Sequence, residues 1–300
     1  MPIPVSQREF DGSIVWQSRQ HFDLSDPWEQ VEFAVYAAFD VVARPGWRIA
    51  FPRQQWNELW LVRSGEVEIE QNGESRLARS PCVVLLHGGL SRDTRQIGEE
   101  PLSIVGFAFG ATLWGALDFL DFVSLQPVWP CPASRFESTM SRMVEEATAR
   151  ESGYSLAIQG LGQLALVEIW RAQGQFSADA RGALQIAQSG ELQGALQLVA
   201  SHFDRPLSVD DMARAALLST KHFGRKFHSA LGITPMEYVR RVRLGRARAL
   251  LASSDESVGH IARRCGFESA AHFSRAFRAH YSASPLQFRR DLRAMTRANN

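Results

Sequence analysis

A short motif occurs twice in the last third of this 300-residue chain, and its two copies constrain the fold more than any other feature. Residues 222–227 read His-Phe-Gly-Arg-Lys-Phe, and residues 272–277 read His-Phe-Ser-Arg-Ala-Phe. The match continues downstream, where Pro235 in the first copy corresponds to Pro285 in the second. Solenoids and propellers need three or more repeats, so two copies indicate a pair of small related modules.

Each copy of the motif follows a pattern that predicts a short helix and a tight turn. In the first copy Ser208 is placed to cap the helix, and Asp211 occupies the position of the acid in a capping box. In the second copy Ser257 is the expected cap, but His260 replaces the acid, so this capping box is predicted to be incomplete. Gly266 supplies the second turn, because glycine adopts positive φ without a steric penalty. Each module is therefore predicted to be a helix-turn-helix.

The second helix of each module carries the motif and is predicted to have an apolar face and a basic face. Two phenylalanines four residues apart lie on one side of each helix, where they suit a buried core. Basic residues near the start of the other side suit entry into the major groove of DNA. A solvated basic face is the alternative, but two copies with one spacing favour DNA. The residues predicted at this interface are Ser219, Thr220, Lys221, His222, Arg225, Ser269, His272 and Arg275.

Residues 192–292 resemble the DNA-binding domain of the AraC/XylS transcriptional regulators. The resemblance implies two helix-turn-helix motifs, at about 208–231 and 257–281, joined by a helix from about Pro235. Gly224 and Ala271 offer no side-chain hydrogen bond where many members carry a base-contacting residue. The segments that carry the resemblance are Pro206-Leu207-Ser208, Gly232-Ile233-Thr234-Pro235, Arg243-Leu244, Cys265-Gly266-Phe267, and Ser284 through Arg289.

The distribution of charge supports a nucleic-acid partner for the C-terminal part alone. From Glu191 onward the chain has 18 Lys and Arg against 9 Asp and Glu, a balance of +9. The preceding residues have 15 against 23, a balance of −8, although the whole chain carries only +1. A basic region beside an acidic remainder is expected when only that region contacts phosphates.

The cysteine content and the absence of targeting signals predict a cytoplasmic protein. The three cysteines are odd in number and widely spaced, so they form neither a disulfide framework nor a metal pattern. No signal peptide and no apolar run long enough to span a bilayer are found, so we expect no membrane partner.

Residues 1–130 read mainly as short strands, which predicts an α+β protein of two domains. Apolar runs at 32–43, 59–62, 82–86 and 102–109 are separated by Gly and Pro, a pattern typical of a barrel or jelly roll. Asn72-Gly73 is a strong hairpin-turn signal. With Pro45-Gly46-Trp47, this region resembles the cupin-like effector domain found in many AraC-type regulators. The resemblance implies that residues 1–130 sense a small-molecule effector.

Aromatic and basic residues near the second and third strands are the candidates for effector binding. Aromatics with one or two arginines suit a small ligand that has an apolar or sugar face and a carboxylate. Trp60 has a simpler role as barrel core, and His87 as a loop histidine. With only two histidines in the first 190 residues, we expect no bound metal and no cofactor. The predicted effector residues are Trp47, Arg48, Arg53, Trp60 and His87.

Two helices, at 134–150 and 154–173, are predicted between the two domains. The second helix is apolar over too broad a surface for a lone surface helix. The family resemblance implies that residues 131–174 form a hairpin that mediates homodimerisation; packing wholly against the barrel is the alternative. Residues 175–191 are the predicted linker, with helical character at 183–187.

The function that this organisation predicts is a sequence-specific transcriptional regulator controlled by a small-molecule effector. It would bind double-stranded promoter DNA as a homodimer and contact RNA polymerase. A cupin-type enzyme with a DNA-binding tail is the second hypothesis, but no metal triad and no nucleophile–base pair supports it. A nonspecific nucleoid binder is the third, and two separately shaped reading helices argue against it. We therefore expect a regulator and not an enzyme.

Overall fold

The strands and helices divide the chain into an N-terminal β-sheet domain and a C-terminal helical domain, which confirms the predicted α+β class. The structure is a computed structural model, and it describes residues 31–131, 134–173, 175–176 and 192–297. The predicted helical character at 183–187 lies outside the described residues.

Twelve strands lie in the described part of the N-terminal region. A short 3₁₀ helix, Phe119–Phe122, lies between the ninth and the tenth. The strands are β1 Val31–Ala43, β2 Arg48–Phe51, β3 Asn57–Ser64, β4 Glu66–Gln71, β5 Glu74–Arg79, β6 Cys82–Leu86, β7 Arg92–Ile97, β8 Leu102–Leu113, β9 Leu117–Asp118, β10 Val123–Ser124, β11 Val128–Pro130 and β12 Gln175–Phe176.

Ten of these strands form two antiparallel sheets that pack against each other, and β10 and β12 form a separate two-stranded sheet. One sheet has the order β1-β8-β3-β6-β11, with β9 added beside β8, and the other has the order β2-β7-β4-β5. The β4–β5 hairpin turns at Asn72 and Gly73, both at positive φ, as the sequence predicts. The first two residues of the predicted linker form β12, which pairs with β10.

The space between the two sheets is filled by apolar side chains. Val67 and Ile69 of β4 point inward, while Glu66, Glu68 and Glu70 alternate with them and face outward, as the geometry of a strand requires. They pack against Phe39, Trp60 and Val62 of the opposite sheet, all 7 % exposed or less. The N-terminal domain thus has a closed core of its own.

Strand β1 is the longest strand and has a bulge that serves the packing of other elements. It pairs with β8 from Val31 to Ala43, and the register shifts between Val35 and Ala37, which leaves Tyr36 as the extra residue. The side chain of Gln159 accepts a hydrogen bond of 2.9 Å from the backbone N–H of Val35 beside this bulge.

Two helices, α1 Ser134–Ala149 and α2 Tyr154–Gln173, form a hairpin that packs on β1 and β8. Close approach depends on Gly162, because a Cβ there would lie 2.7 Å from side-chain atoms of Phe33 and Val35. Helix α2 buries its residues Ile158, Ala165, Leu166 and Ile169 on this side. Its opposite side leaves Leu156 80 % exposed and Leu164 46 % exposed.

Seven helices form the described part of the C-terminal domain. The long helix in the middle, called the linker helix below, joins two shorter groups. The helices are α3 Gln193–His202, α4 Val209–Ala215, α5 Thr220–Leu231, α6 Pro235–Ser253 (the linker helix), α7 Val258–Arg264, α8 Ala270–Tyr281 and α9 Pro285–Arg297. None of the helices in the described ranges is both long and apolar enough to cross a membrane.

The helical domain packs against β1 and against the residues that precede β3 and follow β8, a contact that the sequence does not predict. Phe288 of α9 lies edge-on to Tyr36 and to Trp56, with ring centroids 6.1 and 5.9 Å apart. The hydroxyl of Tyr238 donates a 2.8 Å hydrogen bond to the carbonyl of Trp114. Arg248 of the linker helix is 7 % exposed. The two domains therefore share buried surface.

Candidate nucleic-acid interface

The first module is a helix-turn-helix whose first helix begins at a complete capping box. The Ser208 hydroxyl accepts a 3.2 Å hydrogen bond from the backbone N–H of Asp211, and the Asp211 carboxylate accepts one of 3.0 Å from that of Ser208. The Asp211 carboxylate also accepts a 2.6 Å hydrogen bond from the Ser208 hydroxyl. The bonds that this carboxylate accepts from the Ser208 hydroxyl, from the Ser208 backbone and from Arg214 lower the pKa of Asp211. Helix α4 is thereby fixed at its start, as the sequence predicts.

The second module repeats this arrangement with one difference. The Ser257 hydroxyl accepts a 3.2 Å hydrogen bond from the backbone N–H of His260, but the His260 ring lies 2.6 Å from Glu256 instead of closing a capping box. Gly266 makes the turn with φ of 74°. A Cβ there would also lie 2.8 Å from the carbonyl oxygen of Asp204. The position therefore requires glycine both for its positive φ and for this close approach.

The second helix of each module is held by a buried aromatic pair. Phe223 and Phe227 of α5 are fully buried, with ring centroids 5.3 Å apart, and Phe227 lies 5.4 Å from Tyr238 of the linker helix. Phe273 and Phe277 of α8 form the equivalent pair at 5.5 Å. Full burial of one such side chain contributes roughly 1.5–3 kcal/mol. We call α5 and α8 the reading helices. The aromatic pair packs α5 against the linker helix, and the equivalent pair packs α8 against Phe288 of α9.

The opposite faces of α5 and α8 are exposed and basic. Lys221, His222 and Arg225 are exposed on α5, and His272 and Arg275 are exposed on α8. Within the described ranges, neither Arg225 nor Arg275 forms an ion pair or a side-chain hydrogen bond. A charged side chain that is exposed and unpaired is available to a phosphate or to a base edge.

Three of the predicted DNA-binding residues have roles within the protein itself. Ser219 caps α5 by accepting a hydrogen bond from the backbone N–H of His222, and Ser269 caps α8 in the same way. The Thr220 hydroxyl donates a 2.6 Å hydrogen bond to Asp210. All three lie at the exposed N-terminal ends of the reading helices, so a contact to DNA phosphate stays compatible with these bonds.

Gly224 lies on the exposed face of α5, and its surroundings are open. A Cβ there would meet no heavy atom within 4 Å. Glycine inside a helix costs up to about 1 kcal/mol relative to alanine. The gap between Lys221 and Arg225 leaves room for a base or a backbone to approach α5 closely.

The structure does not bring the five predicted effector residues into one cavity. Trp60 is buried between the sheets, and its indole N–H donates a 2.8 Å hydrogen bond to Glu58. Trp47 is half-buried against the same core, whereas Arg48 is exposed and forms an ion pair with Asp93. Arg53 is an exposed loop residue.

His87 is half-buried just after β6, with its Nδ1 2.9 Å from the carbonyl oxygen of Gly88. It lines a small pocket of about 200 Å³ together with Leu120 and Val123. None of the other four predicted effector residues lines that pocket.

A buried polar cluster in the N-terminal domain is missed by the sequence analysis. The carboxylate of Glu58, 1 % exposed, accepts hydrogen bonds from the indoles of Trp56 and Trp60 and from Arg92 at 2.7–2.8 Å. The Arg92 guanidinium lies 4.8 Å from the Phe51 ring centroid. The sequence does contain a signal for this cluster. Glu58 is an acid at the start of an apolar strand, and Trp56 and Trp60 lie two residues away on either side.

No group of three His, Cys, Asp or Glu in the described ranges has the arrangement of a metal site.

Comparison with known proteins gives a family match in the C-terminal half and relatives that match part of the chain. Residues 212–291 match the helix-turn-helix domain family. An uncharacterised HTH-type transcriptional regulator of Haemophilus influenzae is 30 % identical over 149 residues, which cover 50 % of this chain and 50 % of that protein. The HTH-type transcriptional activator RhaS of Klebsiella pneumoniae is 42 % identical over 88 residues, which cover 29 % of this chain and 32 % of that protein.

Among solved structures, an AraC-type transcriptional regulator from Chromobacterium violaceum is 34 % identical, with a TM-score of 0.34. The match covers 35 % of this chain and 95 % of that one. For the two curated regulators, by contrast, the matched segment spans half of their length or less. The family match at residues 212–291 lies within the two-module domain.

Proposed function

The C-terminal part of this chain belongs to the AraC/XylS type of DNA-binding domain, and from that premise we propose that the protein is a sequence-specific transcriptional regulator. The observation that carries the proposal is the pair of exposed basic faces on α5 and α8. Both helices are capped, both are fixed by buried phenylalanines, and both leave an unpaired arginine exposed. A protein that bound only the DNA backbone would not need two separately shaped reading helices.

The linker helix sets the distance between the two reading helices. Its 19 residues, Pro235–Ser253, span about 28 Å at 1.5 Å per residue. With the width of the modules added, α5 and α8 suit two successive major grooves on one face of DNA, about 34 Å apart. One protomer is therefore expected to protect two short elements about 10 base pairs apart.

The N-terminal domain is proposed to control this activity through a small-molecule effector. Support comes from the shared buried surface, since a ligand that changes the N-terminal domain also changes the contact with the linker helix. A homodimer formed through the α1–α2 hairpin and a contact with RNA polymerase are further parts of this proposal. No observation favours an enzyme.

The experiment is a binding selection from random DNA, carried out on the full chain at two salt concentrations. If Arg275 contacts a base, Arg275→Ala relaxes the preference at one position, at a cost of about 1–3 kcal/mol. If it contacts phosphate, affinity falls uniformly across sequences and the slope of log affinity against log salt falls by about one unit. The control Arg171→Ala removes an equal charge from the exposed end of α2.

Recovery of no preferred sequence by the wild-type protein would contradict the proposal and favour a nonspecific DNA binder. An unaltered motif together with unaltered affinity in Arg275→Ala would remove Arg275 from the interface.

A further inference from the structure

A wide cleft of about 1170 Å³ lies where the N-terminal domain, the helical hairpin and the C-terminal domain meet. One wall is β1 from Phe33 to Asp40. The second is the end of α1 with the start of α2, and the third is the end of the linker helix with α9. A ligand in this cleft would touch all three parts of the protein at once, which a ligand inside the barrel would not.

The interior of the sheet pair is an unfavourable place for an effector, because its own side chains fill it. Phe39, Trp60, Val62 and Ile104 meet there and are 7 % exposed or less. Protein interiors packed in this way leave few voids larger than a water molecule. The cleft, in contrast, is larger than the 300–1000 Å³ of a typical small-molecule site, so it has room for a ligand and water.

The inner part of the cleft is apolar. Ala37, Ile158 and Leu292 line it and are buried, at 6, 9 and 4 % exposure. Val35 and Ala249 add further apolar surface from β1 and from the linker helix. Such a lining favours an aliphatic or aromatic body.

The rim of the cleft carries two acids and two arginines, and among the described residues only Arg150 of these four forms no ion pair. Asp40 and Asp255 line the cleft, but each forms an ion pair with an arginine. The Asp40 carboxylate lies 2.6 Å from the Arg63 guanidinium, and Asp255 pairs with Arg293. Arg150 lines it too, at the tip of the hairpin, and its Nε lies 3.4 Å from the carbonyl of Ala147. Among the described residues, its terminal guanidinium nitrogens have no acceptor, so they remain available to an acidic group.

We propose that the cleft is the effector site and that it binds a small amphipathic acid, with its apolar body on β1 and α2 and its acidic group at Arg150. This proposal rests on the proposed function, whose effector it assigns to a chemical class and to a place. The cleft is also lined by Ser253, the last residue of the linker helix, and by Asp255, two residues before the cap of the second module. Occupancy therefore stabilises the docked arrangement of the domains, by a free energy that rises with the logarithm of the ligand concentration.

The test uses the full chain and two fluorescent probes of nearly equal shape. Anilinonaphthalene sulfonate carries one acidic group, and N-phenylnaphthylamine has the same rings without it. Titration of the wild-type protein is expected to show one saturable site that prefers the sulfonate roughly tenfold or more, since a charge-assisted hydrogen bond is worth this much. Arg150→Gln should erase this preference. Arg142→Gln should preserve it, because Arg142 is an exposed residue of α1 that does not line the cleft.

Two further variants block the cleft from opposite walls. Thr148 and Ser253 are exposed residues of the cleft, on α1 and on the linker helix, so Thr148→Trp and Ser253→Trp fill space without entering a core. Each is expected to weaken both probes at least tenfold. Unchanged probe binding in both tryptophan variants, or an undiminished preference for the sulfonate in Arg150→Gln, would overturn the assignment. Because no DNA is present, these results are independent of the selection that tests DNA recognition.

Discussion

His280 lies in the last turn of α8, close to arginines of the linker helix. Burial lowers the pKa of its ring to about 4, and the positive charges of Arg241, Arg248 and Arg240 act in the same direction. The imidazole is therefore neutral at pH 7. Its ring centroid is 4.6 Å from that of Tyr281, which packs against Arg248 in the contact between the domains.

A neutral buried histidine predicts a loss of stability in mild acid. The folded-state pKa is about 4 and the unfolded value is 6.5, so the folded state resists protonation. Its stabilising contribution is fully present above pH 6.5 and is lost as the pH falls toward 4, by at most about 3 kcal/mol. Urea unfolding at a series of pH values between 7 and 4 measures this loss.

In His280→Gln the slope of unfolding free energy against pH in this range should be smaller than in the wild type. His228→Gln removes an exposed histidine from the matching region of α5 and serves as the control. Equal slopes in His280→Gln and in the wild type would show that His280 does not titrate with unfolding.

Among the secondary-structure elements, those predicted well are the ones whose signals are local. Serine caps, the Asn72-Gly73 turn and the glycine at 266 act within a few residues of themselves, so the sequence is sufficient to find them. The pairing of β1 with β8 is different, because Val31 and its partner Leu113 are far apart in the chain. Periodicity shows that both segments are strands, but it does not show that they are neighbours.

For the predicted effector residues too, closeness in sequence does not show which side chains are neighbours in the fold. Trp47, Arg48 and Trp60 are close in sequence, yet strands alternate and turn, so one lies in the core and another in solvent. The cleft, by comparison, takes its walls from segments more than 90 residues apart, such as those of Val35, Ile158 and Ala249. The residues predicted to contact DNA need no such assembly, because each set lies on or beside one helix, α5 or α8.

Helix α2 carries a prediction about assembly. Leu156 and Leu164 remain exposed on the side turned away from β1, so we expect this side to form a homodimer interface. Burying leucines contributes roughly 1.5–3 kcal/mol each. The double variant Leu156→Glu/Leu164→Glu in the full chain should therefore weaken the dimer by at least about hundredfold, measured by light scattering across a concentration series.

Leu77→Glu is the control for this experiment, because Leu77 is an exposed leucine on β5, away from the hairpin. It should leave the dimer intact. A wild-type protein that is monomeric at high micromolar concentration, or a double variant that stays dimeric, would refute the assignment of this face.

At the scale of the whole molecule, the two domains meet through side chains that are buried from both sides. Arg248 lies 5.3 Å from the ring centroid of Tyr36 in β1 and 4.8 Å from that of Tyr281 in α8. Gly110 of β8 makes room for this group, because its missing side chain leaves space for the Tyr36 hydroxyl and the Arg248 guanidinium. Through Arg248, the linker helix therefore contacts both the N-terminal domain and the second module.

Gly110 gives a direct test of this coupling. A Cβ at this position would overlap both the Tyr36 hydroxyl and the Arg248 guanidinium, so Gly110→Ala forces the side chains between the domains to move. Overpacking of a buried contact costs typically about 1–3 kcal/mol. We expect a larger radius of gyration in small-angle X-ray scattering, a lower midpoint of thermal unfolding, and unchanged sequence preference in the DNA selection, since neither reading helix is touched.

Gly259→Ala is the matched control, because its Cβ would meet no heavy atom within 4 Å and alanine favours the helix by up to about 1 kcal/mol. If Gly110→Ala kept the radius of gyration and the unfolding midpoint of the wild type, the contact between Arg248 and β1 would not hold the domains together.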